Sequence, residues 1–205
     1  MYSPPYNRIE NLHEVAEFTR ANSFALLVTG TGGTLHASQL PMIVEERANR
    51  LAIRSHMAKN NPQWQEFFDD EVLVVFSGPH AYVSPRWYED KERVPTWNYA
   101  AVHAYGRVTL VEDRKAKHAA QRALVASLDS PWLPTFDALR EEYVEMMLRG
   151  IVTFNIEVTR VETRWKLSQN RGRREQELIV AELEQSQDSG VRALAELTRR
   201  HYVEK

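Results

Sequence analysis

The sequence predicts an α+β fold in which an antiparallel barrel is flanked by helices. A first helix is followed by several strand-like segments, then by helices, a further strand and a helical end. Strands and helices do not alternate regularly, which argues against the βαβ units of a parallel sheet. No internal repeat is apparent, so a solenoid or a propeller is not expected.

The composition is that of a folded globular protein. The chain has 205 residues, which suits one domain with an appendage or two very small domains. Its net charge of -2 gives no general attraction to nucleic acids or anionic lipids. There is no cysteine, which excludes disulfides, thiolate nucleophiles and sulfur-rich metal sites. Without a signal-like or membrane-spanning apolar run, we expect a cytoplasmic protein that does not associate with membranes.

The first elements are a helix and a hairpin. Asn11 and Glu14 have the spacing of a capping box, which predicts a helix to about Asn22. Residues 23–29 form an apolar, β-rich run. Residues 35–44 are extended beyond a glycine-rich turn and are interrupted at Pro41. These two segments predict two strands.

The middle of the chain predicts two further strands. Residues 51–55 form a short strand that ends just before His56, and a brief helix follows at Pro62. A buried strand at 72–76 resumes at 81–84, beyond a glycine-proline break.

The longest predicted strand covers residues 96–111, because large and small side chains alternate along it. Asp113 can cap the next helix, and residues 137–149 predict another helix. Residues 151–167 return to strand, the sixth that the sequence predicts.

After Asn170 the composition changes to arginines and then to helix-forming residues. We therefore predict a barrel domain over residues 1–170 and a C-terminal helical tail over 171–205.

Three segments carry residue types suited to chemistry. Residues 54–64 place cations, a hydroxyl and an imidazole just before a helix start, where an anion can bind. Residues 78–88 and 94–106 are rich in aromatic side chains, which suit a planar ring or a subunit interface. Each segment also has a structural interpretation, as solvated charges or as core packing.

Other chemistries find no support in the sequence. The seven histidines are scattered and form no metal-binding motif, so no metal site is expected. Nucleophile elbows and nucleotide-binding glycine loops are also missing from the sequence.

Six stretches, in the same order along the chain, resemble the PaiB family, described as FMN-binding negative transcriptional regulators. That family is related to the split barrels of the pyridoxamine-phosphate-oxidase type. The stretches are residues 1–6, 22–25, 56–64, 78–85, 94–106 and 166–171.

The resemblance implies a six-stranded antiparallel split β-barrel with flanking helices, forming a homodimer that binds FMN in clefts between protomers. In related barrels, basic and hydroxyl residues at a strand end hold the phosphate. The implied cofactor-binding residues are Arg54, Ser55, His56 and Lys59 at the phosphate, Trp97 and Asn98 near the ring, and Tyr82, Ser84, Gln169 and Asn170.

Three functions stay open at this point. The resemblance implies a negative transcriptional regulator, although the sequence shows no helix-turn-helix and only a small arginine cluster at 171–174, so it does not itself support a DNA partner. The alternative is a flavin-dependent oxidoreductase, of the pyridoxamine-phosphate-oxidase or flavin-reductase kind, acting on a small substrate. A third possibility is a flavin or haem binder without turnover, with His56, His80 or His103 as an axial ligand.

Overall fold

The computed structural model describes residues 1–67, 71–90 and 92–202, except for the side chain of Thr31. The strands among these residues are β1 (Phe24–Thr31), β2 (Thr34–Pro41), β3 (Ile43–Arg47), β4 (Arg50–Ala58), β5 (Val72–Val83), β6 (Thr96–Val111) and β7 (Ile151–Lys166). The α-helices are α1 (Leu12–Ala21), α2 (Arg114–Leu128), α3 (Leu133–Asp137), α4 (Glu141–Arg149), α5 (Arg173–Glu184) and α6 (Ser189–Arg200).

The strands form one antiparallel sheet in the order β2-β1-β5-β6-β7-β4-β3. The predicted α+β class is therefore confirmed, but the described residues contain seven strands rather than six. The extra strand arises because the segment predicted at 35–44 is divided into β2 and β3. Pro41 has no backbone N–H for a ladder, and the next amide, that of Met42, donates instead to the Ser23 carbonyl at 2.8 Å.

Two predicted strand boundaries were wrong. β4 continues through His56 to Ala58, because it pairs along its length with β7 as far as Ala58 opposite Ile151. β5 runs without a break through Gly78 and Pro79. Both residues tolerate extended backbone when neighbouring strands hold it.

The helix predicted over 137–149 begins only at Glu141. Asp137 does not cap it, because its carboxylate accepts two hydrogen bonds of 2.8 Å from the Arg122 guanidinium. Asp113 does cap α2, since its Oδ1 accepts from the Ala116 amide at 2.8 Å. The predicted limits of β6 are confirmed.

The chain divides into two compact units. The central unit comprises Leu12–Phe76 and His103–Val161, and the terminal unit comprises Met1–Asn11, Ser77–Val102 and Glu162–Lys205. The terminal unit contains α5 and α6, whose buried residues include Ile179, Leu183 and Leu194. The boundary predicted at residue 170 between a barrel domain and a tail stays a prediction.

The central unit has an apolar core, and a hydrogen bond beside this core joins two strands that are distant in the sheet order. Leu27, Ile53 and Phe154 are almost completely buried. The Ser55 hydroxyl on β4 donates to the Pro41 carbonyl on β2 at 2.7 Å. These strands are far apart in the sheet order, so this bond shows that the sheet curls back on itself within the unit.

Among the helices in the described ranges, none combines the length and the apolar character required to cross a bilayer.

Candidate functional site

Side chains on β4 alternate between the core and the surface of the central unit. Arg54 and His56 are half-buried on one face, whereas Ser55 and Met57 are buried on the other. Because side chains alternate along a strand, Ser55 points away from Arg54 and His56. The structure thus brings Arg54 and His56 together and directs Ser55 into the core, where its hydroxyl is already bonded.

Arg54 is held by neighbouring polar groups. Its Nε donates to Asn155 Oδ1 at 3.1 Å, and its Nη1 lies 3.9 Å from Glu45 Oε1. These contacts fix the direction of the guanidinium and partly satisfy its charge. Arg54 can therefore contribute less to binding a new anion than a cation without such partners.

His56 lies directly opposite Thr153 of β7 in the strand pairing. Burial lowers the pKa of His56 below its ordinary value, because a buried imidazolium loses hydration. At neutral pH the ring is therefore neutral and can donate one hydrogen bond.

A cleft of about 440 Å³, here called the cationic cleft, lies at the end of β4 in the central unit. Lys59 is fixed there by its main chain, because its amide donates to the Gly150 carbonyl at 2.8 Å and its carbonyl accepts from Trp64 Nε1 at 3.1 Å. The polar and aromatic residues that line the cleft are Lys59, Trp64, Glu112, Arg114, Lys117, Glu145, Arg149 and Thr153.

The charges of the cleft are only partly neutralised. Arg114 forms ion pairs with Glu141 at 2.5 Å and Glu145 at 2.7 Å. In contrast, Lys59, Lys117 and Arg149 form no ion pair with any carboxylate in the described parts of the chain. Three cations are therefore available for an anionic ligand.

Thr153 supplies a hydroxyl that the protein does not use. Its side chain is 1% exposed, and its Oγ1 has no hydrogen-bond partner among residues 1–67, 71–90 and 92–202. A buried hydroxyl without a partner is unfavourable by about 1 to 3 kcal/mol. Free cations beside an unpaired hydroxyl and the neighbouring His56 fit the phosphate of a bound nucleotide.

Replacing Thr153 with valine tests this assignment. Valine has nearly the same shape without the hydroxyl, so we expect FMN affinity to fall by about 1 kcal/mol, roughly fivefold, with riboflavin affinity unchanged. The melting temperature of the ligand-free protein should stay the same or rise, because an unpaired buried group is removed. Fluorescence titration with both flavins and thermal denaturation measure these effects.

Thr163→Val is the matched control on the same strand. The Thr163 Oγ1 accepts from the Ile9 amide at 2.8 Å and donates to the Ile9 carbonyl at 3.0 Å. Its loss should lower stability and leave FMN affinity unchanged. Weaker FMN binding in both variants would contradict a specific role for Thr153.

In the terminal unit, Trp97 lies among other rings on an exposed surface. Its ring centroid is 5.8 Å from that of His80 and 6.3 Å from that of Tyr82, and its Nε1 donates to His80 Nδ1 at 3.3 Å. Trp97 and Tyr82 are each about half exposed, at 49% and 47%. The structure therefore brings together two of the predicted cofactor-binding residues, with flat apolar surface available to a planar ligand.

Asn98 points away from this surface. It is completely buried, and its Nδ2 donates to Ser168 Oγ at 2.9 Å. Ser168 has a φ of 64°, a left-handed conformation that is unusual for serine. The predicted pairing of Trp97 and Asn98 at one ligand surface is not observed, because neighbouring residues of a strand face opposite sides.

Three further predicted residues, Ser84, Gln169 and Asn170, belong to the terminal unit. The buried Ser84 accepts from the Arg86 amide at 3.3 Å. Gln169 is buried, and its Oε1 accepts from the Leu167 amide at 2.7 Å. Asn170 is exposed. Ser84 and Gln169 thus stabilise local backbone, and their contact with FMN stays a prediction.

Lys117, Arg149 and Thr153 were not among the residues predicted from the sequence. Nothing in the residues around them resembles a binding motif, and they lie far along the chain from Lys59. Only the pairing of β4 with β7 places Thr153 opposite His56. An arginine just before a strand and a threonine near its start are too common in proteins to indicate a binding site by themselves.

Comparison with known protein families gives a match over most of the chain. Residues 1–160 match the family described as "Putative FMN-binding domain". The matched range includes the cationic cleft and the ring-lined surface at Trp97.

Two relatives show how far the similarity extends. The chain is 36% identical over 203 residues to the protease synthase and sporulation protein PAI 2 of Bacillus subtilis, covering 96% of both chains. It is 28% identical over 219 residues to an uncharacterised protein of Aspergillus fumigatus, covering 80% of this chain and 83% of the other.

Solved structures of low sequence identity share the fold. The FAD and haem binding protein of Mycobacterium smegmatis aligns with a TM-score of 0.62 at 11% identity, covering 78% of this chain and 73% of that one. The flavocytochrome Anf3 of Azotobacter vinelandii aligns with a TM-score of 0.55 at 14% identity, covering 79% and 74%. From its family match and its full-length similarity to the Bacillus subtilis protein, the chain belongs to the PaiB family of FMN-binding split-barrel proteins, and FMN is its cofactor.

Proposed function

We propose that this protein is a homodimeric negative regulator of transcription of the PaiB type, with FMN as its bound cofactor. The observation that carries the cofactor assignment is the cationic cleft, where Lys59 and Arg149 lack carboxylate partners among the described residues and Thr153 has an unpaired hydroxyl. The regulatory role is supported by full-length similarity to a relative whose name refers to protease synthesis and sporulation.

The residues of the chain have separate tasks in this proposal. Lys59, Arg149 and Thr153 bind the phosphate, and the neutral ring of His56 donates one further hydrogen bond. In the terminal unit, Trp97 and Tyr82 offer an apolar surface that suits a planar ring such as the isoalloxazine. That ring system, when bound, accepts and donates electrons.

The arginine cluster gives little support for direct contact with DNA. Arg171 lies 4.6 Å from the centroid of the Tyr88 ring and 4.0 Å from Glu175, and Arg173 pairs with Glu177 at 3.0 Å. Arg174 lies 3.7 Å from Glu89. Arginines with such partners are less available to phosphates. The regulatory proposal therefore includes action through a partner protein.

A homodimer is supported by apolar side chains left exposed on the helices between β6 and β7. Between residues 112 and 147, Ala120 is the only fully buried position. Leu128, Trp132, Met146 and Met147 are each more than 40% exposed. Contiguous exposed apolar surface is typical of sites that bind another protein.

The second candidate function is a flavin-dependent oxidoreductase. The observation in its favour is the half-exposed surface of His80, Tyr82 and Trp97, which leaves room for a second planar molecule. In that case a reduced nicotinamide or another small substrate would exchange electrons with the flavin.

Gene deletion separates the two functions. We expect transcripts repressed by the protein to rise in a deletion strain and to return when the wild-type gene is restored. A gene for the Lys59→Met variant, which we expect to bind FMN poorly, tests whether repression needs the cofactor. A mobility-shift assay on the protein's own upstream region, repeated at increasing salt, distinguishes direct from indirect action.

The competing result is equally specific. Unchanged transcripts in the deletion strain, together with rapid reduction of the bound flavin by NADH or NADPH, would reject the regulator in favour of the enzyme. Absorbance and mass analysis of the copurified ligand identifies the cofactor independently of both. Haem in place of flavin would contradict the assigned site.

A further inference from the structure

The exposed surface around Trp97 carries two cations as well as aromatic rings. Arg164 and Lys166 are two residues apart on β7, so their side chains share one face of the strand. The Arg164 guanidinium lies 5.5 Å from the centroid of the Tyr99 ring, and Tyr99 shares a face of β6 with Trp97. We call His80, Tyr82, Trp97, Tyr99, Arg164 and Lys166 the aromatic face.

Lys166 is held on this face by neutral oxygens. Its Nζ donates to the Trp97 carbonyl at 2.8 Å and also to the Thr96 hydroxyl. Within the described ranges, neither Lys166 nor Arg164 forms an ion pair with a carboxylate. Glu162, which precedes them on the same face, forms an ion pair with the N-terminal amine of Met1.

Two neighbouring cations without a counter-ion are electrostatically unfavourable. Partial burial and the nearby Arg164 both lower the pKa of Lys166. The repulsion between the two cations is unfavourable for the protein alone, whereas an anionic ligand would be attracted to them. The surrounding rings indicate that this ligand is flat and aromatic.

We propose that Lys166, assisted by Arg164, faces the pyrimidine edge of the flavin and stabilises its reduced, anionic form over its oxidised form. This inference rests on the proposed placement of the isoalloxazine on the aromatic face. Uptake of two electrons and one proton by the oxidised flavin leaves one negative charge at this edge. The positive ammonium of Lys166 would stabilise that negative charge. The oxidised ring has no such charge, so Lys166 would stabilise it less.

The expected effect is a change in the midpoint potential of the bound flavin. Lys166→Gln keeps an N–H donor for Thr96 and Trp97 but removes the charge. We expect this variant to lose about tenfold in its preference for reduced over oxidised FMN, which lowers the two-electron potential by about 30 mV. Redox titration of the FMN-loaded protein with dithionite and a reference dye measures the potential.

Two further variants make the result specific. Lys166→Arg retains the charge and should restore most of the wild-type potential. Lys115→Met removes one positive charge from an exposed position on α2 and should leave the potential unchanged. Affinity for oxidised FMN, measured by fluorescence, should change less than threefold in all three variants.

The outcomes separate this inference from the proposed function. An unchanged potential in Lys166→Gln with normal binding of oxidised FMN would overturn the inference and leave the FMN site intact. An equal loss of affinity for both flavin forms would also overturn it, because Lys166 would then only hold the cofactor. Wild-type protein that binds no FMN would refute the proposed function itself.

Discussion

Replacing Lys59 with methionine is expected to weaken FMN binding about 30-fold to 100-fold while changing riboflavin binding little. Lys59 lines the cationic cleft, and its ammonium forms no ion pair with a carboxylate in the described residues. A hydrogen bond to a charged group contributes about 1.5 to 3 kcal/mol, and a factor of ten in affinity corresponds to about 1.4 kcal/mol. Only FMN carries the phosphate, so the loss should be specific to it.

Two comparisons strengthen this test. Lys59→Arg should retain most of the affinity, because it preserves the charge. Arg54→Met should have a smaller effect than Lys59→Met, since Arg54 already contacts Asn155 and lies near Glu45. Titration of each ligand-free variant with FMN and riboflavin gives the ratio of the two affinities. An equal loss for both flavins would show that Lys59 does not bind the phosphate.

Gly106→Ala is expected to destabilise the protein by about 3 kcal/mol. A Cβ at position 106 would lie 2.4 Å from the Glu157 carbonyl oxygen and 2.7 Å from Ile156 Cγ2. The first of these atoms is backbone in β7 and cannot move without disturbing its strand. The melting temperature should fall by about 6 to 12 °C, as measured by calorimetry or circular dichroism.

Gly172→Ala provides the matched control. An added Cβ there meets no atom within 4 Å, and the backbone φ of -66° suits alanine. We expect a change of less than about 1 kcal/mol. If Gly106→Ala were as stable as this control, β6 and β7 could not pack as closely as the structure shows.

Much of the secondary structure follows from local sequence. The alternation along residues 96–111 identified β6, because side chains of a strand point to opposite sides. Asp113 was correctly identified as a helix cap, since its carboxylate needs only the amide three residues later. The end of β4 was predicted less well, because pairing with the distant strand β7 extends it to Ala58.

The candidate site was only partly predictable. The sequence indicated that Arg54, His56 and Lys59 could bind a phosphate, since their side chains suit an anion whatever the fold. It could not show that the Ser55 hydroxyl donates a hydrogen bond to the Pro41 carbonyl on another strand, or that Asn98 is buried and bonded to Ser168. Those contacts depend on which face of a strand is covered, and a shift of one residue in register reverses that face.

Local sequence patterns and the family motifs were sufficient to predict the α+β class, the family and the residue types available for binding FMN. Which of these residues share a surface depends on the packing of the strands. Thr153 lies opposite His56, and Lys166 lies beside Trp97, because antiparallel strands distant in sequence pair in one register. Hydrogen bonds between strands and burial of one sheet face fix that register. Both involve residues that are distant in sequence, so a short motif does not reveal them.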